Sequence, residues 1–183
     1  PEVEVKVSAE VSGQLIELPV REGDRVATGD LLARINPDIY ESRLSQAKAA
    51  LDNARANLAT SEARLTQSRA AFAAAELAYK RNTDLREKGV LSPADFEQAE
   101  VSFRSAEADL EASQQGVRSA GFTIRSAEAT VNEAEDNLRR TVLRATQAGT
   151  VTALVKEEGE GVQGIGSFPG EAIMKSSQLG AME

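Results

Sequence analysis

Hydrophobic and polar positions change their period twice along this chain. From residue 1 to 36 they alternate, opening on PEVEVKV and continuing through VSGQLIELPVREGDRVATGDLLARI with Gly at the breaks. Alternation between Gly-marked breaks predicts short strands and tight turns. From 37 to 142 the period becomes seven. Leu44, Leu51, Leu58, Leu65, Phe72 and Tyr79 form one series; Phe96, Phe103, Leu110, Val117, Ile124, Val131 and Leu138 form another. Three positions after nearly every member stands a small residue, such as Ala47, Ala54 and Ser68 in the first series or Ala106, Ser113 and Ala120 in the second. This is a heptad seam with a large residue at a and a small one at d, and it predicts two long helices. From 143 onward, LRATQAGTVTALVKEEGEGV returns to strand and Gly character.

The two large-residue series mirror each other about residue 91: 44 with 138, 51 with 131, 72 with 110. An antiparallel hairpin with its tip at about 86–93 keeps both seams in register, and large against small lets the helices approach closely. Antiparallel pairing sets Lys48 near Glu135 and Arg55 near Glu128, though it also opposes Glu76 to Glu107. At 1.5 Å per residue each arm is ~70–75 Å long. Asn36 and Pro37 suit the N-cap and first position of helix one. Gly89 suits its C′ position. Ser92-Pro93-Ala94-Asp95 reads as a capping box, with Leu91 and Phe96 placed as a hydrophobic staple.

The strand-rich ends repeat one another. Gly13, Leu18, Glu22, Gly23 and Val26 match Gly149, Leu154, Glu158, Gly159 and Val162 at a constant offset. Asp24 matches Glu160, and Gly29-Asp30 matches Gly170-Glu171 after a five-residue insertion. The shared Glu-Gly-acid core is a hairpin turn in which Gly supplies the positive φ. Each half alone would leave its apolar face wet. The expected fold is therefore α+β: one β-domain from residues 1–36 and 143–175, with the helical hairpin of 37–142 inserted between its halves.

Composition narrows the chemistry. With 41% apolar residues, 4% aromatics and no Trp, helices packed through Leu and Ala are easier to build than a large globular core. A net charge of −8 argues against nucleic acid as a partner. There is no Cys and no His, which removes thiolate chemistry, the commonest general base and the commonest metal ligand. No apolar run approaches the ~18 residues of a membrane span. The abrupt start in PEVEVKV reads as that of an excised fragment. The carboxylates are spread over helix surfaces as a solvated face, so no catalytic, cofactor or metal residues are assigned and no enzyme is expected.

A half β-motif, a long helical hairpin and a second half β-motif resemble the membrane fusion proteins, the HlyD-like periplasmic adaptors of bacterial efflux pumps and secretion systems. VSGQLIELPVREGDRVATGDLLARINP is similar to the family's first half-motif and AGTVTALVKEEGEGV to its second. The Ala-Pro usual before the second Gly is replaced by Ala145-Thr146. The resemblance implies a lipoyl-like (biotinyl) β-domain interrupted by a coiled-coil hairpin, and residues 176–183 resemble the start of a following β-barrel. It implies a periplasmic protein of a Gram-negative bacterium, attached to the inner membrane, that links an inner-membrane transporter to a TolC-like outer-membrane channel. Several copies, a hexamer by family resemblance, would form the conduit.

Adaptors that dock on TolC-type channels carry R-x3-L-x6-S at the tip, and Arg81, Leu85 and Ser92 match that spacing. Arg81 and Leu85 share one helical face; capping alone also explains Ser92, and seam closure explains Leu85. The hairpin length looks more like MacA-type adaptors, which work with an ABC transporter, than like the shorter hairpins of many adaptors serving proton-driven pumps. Protein secretion in place of small-molecule efflux is a further alternative, and a non-transport coiled-coil spacer is the rival from another class. The outward f positions Ala49, Ala56, Ala63 and Ala70 suit lateral packing between copies, although Ala is also the best helix former. Gln163, in the inserted loop 161–170, is the one glutamine available where MacA-type adaptors place a gate, and no gate is assigned. Met174-Lys175 resembles the Met-Lys of a biotin carrier, but the repeat aligns Lys175 with Arg34, a strand position.

Overall fold

The computed structural model describes residues 3–165 and 170–178. The chain divides into two units: residues 1–46 with 131–183, and residues 47–130. Four strands precede the helices: β1 (Val3–Ser8), β2 (Gly13–Glu17), β3 (Arg25–Val26) and β4 (Leu31–Ile35). After α1 (Asp38–Glu87) and α2 (Pro93–Arg139) come β5 (Val142–Arg144), β6 (Gly149–Leu154), β7 (Gly161–Val162) and β8 (Ala172–Gln178). The helical segment thus closes before residue 142, and Val142 already belongs to β5. Residues 176–178, expected to open a following barrel, extend β8 instead, because Ser176 and Ser177 find partners in Val5 and Glu4 of β1. Residues 179–183 lie outside the described residues.

The β-domain is built by exchange. One sheet runs β1-β8-β6-β3 and the other β5-β4-β2-β7, so each half of the sequence gives two strands to each sheet. The repeat accounts for the order: β2, β3 and β4 correspond to β6, β7 and β8. The two Glu-Gly-acid turns lock reciprocally onto the opposite half. Gly23 N–H donates to Val151 O at 2.8 Å, and Val151 N–H to Asp24 O at 2.9 Å. In the other half Gly159 N–H donates to Leu15 O at 2.8 Å, and Leu15 N–H to Glu160 O at 2.9 Å. Both glycines have positive φ, 90° and 95°, which side-chain-bearing residues adopt only under strain.

The exchange creates the core. Leu15, Ile35, Val151, Ile173 and Met174 are fully buried, and Val26, Leu32, Val162 and Tyr40 join them. Alternation along β2 and β4 brings Leu15 and Ile35 inward, as the pattern predicts. Tyr40, in the first turn of α1, seals the core edge and donates its hydroxyl to Ser12 O at 2.6 Å. Asn36 caps α1 by accepting the Asp38 N–H at 3.0 Å. Its own N–H donates to Gln14 O at 2.8 Å, which ties the helix start to β2. Lys175 sits mid-strand in β8, opposite Lys6 and Ala153.

In the unit of residues 47–130 the a and d side chains are buried or half-buried and the f side chains exposed, as heptad phase requires. The layers differ from the expected large-against-small arrangement. Phe72 packs on Phe103, with centroids 5.5 Å apart, and Tyr79 stacks on Phe103 at 5.0 Å. Ser68 Oγ meets Ser113 Oγ at 2.7 Å. Because the two series mirror about one turn, a meets a and d meets d; large layers therefore alternate with small ones. Arg55, expected beside Glu128, pairs with Asp52 of its own helix at 3.5 Å. Glu76 takes Lys80 at 2.9 Å, which offsets its opposition to Glu107. Among the described residues no helix is long and apolar enough to cross a membrane.

Candidate functional site

The hairpin turn is specified by its backbone. Gly89 stands at C′ of α1 with φ 71°. Val90 N–H reaches Leu85 O and Gly89 N–H reaches Arg86 O, both at 3.0 Å, which is the paired 6→1 and 5→2 closure of a Schellman motif. Two residues on, Ser92 caps α2. Its Oγ accepts the Asp95 N–H at 3.2 Å, and its O–H donates to Asp95 Oδ2 at 2.5 Å. In the usual capping box a Glu or Gln side chain reaches back to the cap residue's backbone N–H. The shorter Asp95 closes on the Ser92 hydroxyl instead. Phe96 is buried at the staple position, and the Arg86 guanidinium lies 4.3 Å above its ring.

The three tip residues occupy different situations. Ser92 spends its hydroxyl on the cap as both donor and acceptor. Leu85 is half-buried and its carbonyl serves the turn. Arg81, one helical turn earlier, is exposed, and among the described residues no hydrogen bond or ion pair engages it. Its neighbour Lys80 takes the nearby carboxylate of Glu76, leaving the Arg81 guanidinium with all its donors free. Leu85 and Ser92 border one turn, and Arg81 lies one helical turn before Leu85 on the same helix.

Ala49, Ala56, Ala63 and Ala70 are all exposed on α1, in phase with Leu77. The sequence reading missed their counterpart. Val101 and Phe122 stand at the f positions of α2, each 62% exposed. The heptad that located the seam also locates them, since they lie five places after the a residues Phe96 and Val117.

The inserted loop of the second half keeps the hydrogen bonds of the shorter turn that it replaces. Ala27 N–H donates to Asp30 Oδ2 at 2.7 Å, and Asp30 N–H to Ala27 O at 3.1 Å. Gln163 N–H donates to Glu171 Oε2 at 3.3 Å, and Glu171 N–H to Gln163 O at 3.0 Å. Gln163 is thus one post of the loop, held through its backbone; residues 166–169 lie outside the described residues. Lys156 Nζ adds an ion pair to Glu171 Oε1 at 2.9 Å. The Lys156 hydrogen bond and the Gln163 N–H hold the Glu171 carboxyl below the usual carboxylate range. The bond to Glu171 raises Lys156 in turn. Among the described residues no group of three or more acidic, His or Cys side chains could hold a metal ion.

Residues 3–164 match the family model described as RND MFP, barrel-sandwich hybrid domain. Multidrug resistance protein MdtA of Yersinia pestis is 47% identical over 62 residues, which are 30% of this chain and 14% of that protein. The pyoverdine export membrane fusion protein PvdR of Pseudomonas putida is 32% identical over 96 residues, 52% of this chain and 23% of its own. The matched region is therefore under a quarter of the length of either relative. Among solved structures, MacA from Actinobacillus actinomycetemcomitans has a TM-score of 0.57 at 28% identity, covering 98% of this chain and 54% of MacA. Two half-motifs that exchange strands around an antiparallel helical pair are what that family model spans in one piece, and the chain belongs to the RND membrane fusion protein family of adaptors.

Proposed function

We propose that this chain is the lipoyl-like and helical-hairpin part of a periplasmic adaptor that is held at the inner membrane and links a transporter there to a TolC-like outer-membrane channel. The hairpin tip docks on the channel through Arg81, Leu85 and Ser92. Copies pack side by side through the face of Ala49, Ala56, Ala63 and Ala70 to form a conduit. The observation that carries the docking step is Arg81: the turn commits Ser92, Asp95 and the Leu85 carbonyl to its own closure, and leaves this one guanidinium unengaged. A planar fork of donors suits carbonyls and carboxylates at the ends of a channel's own helices.

The transporter is proposed to be of RND type, the class in the description of the family model covering residues 3–164. A specific observation favours an ABC transporter as the second reading: helices of 50 and 47 residues make the long hairpin from which the MacA-type resemblance was drawn. The test is Arg81→Asp in the full-length protein, scored by efflux and by co-purification of the outer-membrane channel. Loss of both at normal protein levels is expected; unchanged export would count against tip docking. Which transporter class co-purifies with the unaltered protein decides between the two partners.

A further inference from the structure

The two sheets of the β-domain end in β1 and β3 on one side and in β5 and β7 on the other. The edge strands β3 and β7 are two residues long, which leaves little to pair with, but β1 runs over six. Ala9 N–H donates to Glu171 O at 3.0 Å, so alternation along β1 turns the backbone groups of Val5 and Val7 toward β8 and those of Lys6 and Ser8 toward the open edge. On β5, Ala145 N–H donates to Asp30 O at 2.9 Å and its carbonyl accepts Gly29 N–H at 2.8 Å. The backbone groups of Val142 and Arg144 therefore face outward in the same way. Among the described residues no pairing joins β1 to β5. The two edges instead line one groove of about 370 Å³, which they share with the last turn of α2.

The groove is basic although the chain is acidic. It gathers Lys6, Arg139, Arg140 and Arg144 around two carboxylates, Glu10 and Asp136, in a protein of net charge −8. Arg140 Nη1 takes Glu10 Oε2 at 3.2 Å, and Arg139 takes Asp136. The other two cations stand one on each edge strand: Lys6 is exposed on β1, and Arg144 on β5 gives Nη1 to Gly29 O at 2.9 Å. A lysine on an edge strand discourages pairing with other copies, but that task does not call for three arginines beside it. We propose that the groove takes an extended, acidic segment of another protein, added to the free edge of β1 as a further strand. Backbone groups of the segment meet those of Lys6 and Ser8. Carboxylates at every second position face Lys6 and Arg144, and the side chains between them lie toward Val5 and Val7, which are half-buried. A phosphate or a lipid headgroup would use the cations but leave the edge carbonyls without donors. A second copy of β1 would set one basic edge against another. The contact is independent of the hairpin tip and of packing between copies.

Titration of the full-length protein with a short fluorescent peptide of alternating Glu and Val, read by anisotropy, tests this. Binding is expected, and the peptide with Lys in place of Glu is expected to bind more weakly by on the order of tenfold or more. A Glu-Val peptide methylated at every backbone amide keeps its charge but loses its donors, and the same loss is expected. Lys6→Glu and Arg144→Glu are each expected to weaken binding on the order of tenfold without changing the circular dichroism. Arg118→Glu changes the net charge equally at an exposed site on α2 and is expected to have little effect. Should one reversal unfold the domain, the other and the methylated peptide still decide. No binding at millimolar peptide, or equal binding of the methylated peptide, would overturn strand addition. Equal effects of Arg118→Glu and Lys6→Glu would reduce the groove to net charge and overturn it as well. Displacement of the peptide by inorganic phosphate at constant ionic strength, or tighter binding of phosphatidylglycerol vesicles, would give the groove to a phosphate-bearing ligand and sink the proposal.

Discussion

Ser113 Oγ lies 2.7 Å from Ser68 Oγ on the facing helix and 2.8 Å from its own Asp109 carbonyl. Its single proton goes to that carbonyl, so Ser68 is the donor across the seam. The pair is a polar layer among apolar ones, and such layers fix helix register. Ser113→Ala leaves Ser68 without its acceptor, whereas Ser68→Ala leaves the Ser113–Asp109 bond intact. A double-mutant cycle read by chemical denaturation is expected to give a coupling of about 0.5–1 kcal/mol. Additive single effects would remove the register role.

The tip separates stability from binding. Ser92→Ala deletes a cap that both donates and accepts, and is expected to lower stability by about 1 kcal/mol. Arg81→Ala removes a side chain with no partner and is expected to shift stability by less than about 0.5 kcal/mol. Thermal or denaturant melts of both variants beside channel co-purification check the contrast. Equal destabilisation would mean that Arg81 holds the turn together.

Gly13 opens β2 where there is no room for a side chain. A Cβ there would lie 2.5 Å from Ile35 Cγ2, and Ile35 is fully buried. Gly13→Ala therefore forces Ile35 off its packing, and a loss of about 1–3 kcal/mol is expected in urea unfolding. Gly116→Ala, where a Cβ meets nothing within 4 Å, is the control and is expected to stabilise α2 by up to about 1 kcal/mol.

The Lys156–Glu171 pair gives the inserted loop a pH dependence. Glu171 is lowered in the folded state, so its contribution is present above the unfolded carboxylate value and is lost as pH falls through the folded one. Lys156 is raised, so its contribution is present below the unfolded lysine value and is lost as pH rises through the folded one. The clasp is thus intact across the neutral range. Hydrogen-exchange protection of the Gln163 amide, taken relative to the intrinsic rate at each pH, is expected to fall in acid for the wild type. Glu171→Gln is expected to show low protection at neutral pH and little change in protection in acid. A variant indistinguishable from wild type at neutral pH would show that the backbone bonds alone close the loop.

The sequence carried the local signals well and the long-range ones unevenly. The Glu-Gly-acid repeat located both turns and the five-residue insertion, because turn chemistry is local. It implied that the halves meet, but not that each sheet would take strands from both, since pairing partners leave no mark on a strand's own alternation. The heptad placed the seam residue by residue. It misjudged what faces what: Arg55 took Asp52 because a carboxylate within one turn competes well with one on another helix. The tip motif gave positions without roles, because only the hydrogen bonds separate a committed Ser92 from an unengaged Arg81. Phe122 is legible in the same heptad, five places after Val117, but an outward f position says nothing of how exposed its side chain is.

Strand exchange also dictates the order in which the protein can be made. Gln14 Nε2 bonds Gly159 O across 145 residues, and Gly164 N–H bonds Ser12 Oγ across 152. The strand β1, synthesised before the helices, has its edge partner in β8, synthesised after them. On the ribosome the first half must wait, apolar face uncovered, until α1 and α2 have emerged and zipped through contacts that are local by comparison. The helical pair is therefore a folding clamp as well as a component: once it closes, the loop joining the halves shortens to almost nothing, and with it the entropy that opposes their meeting.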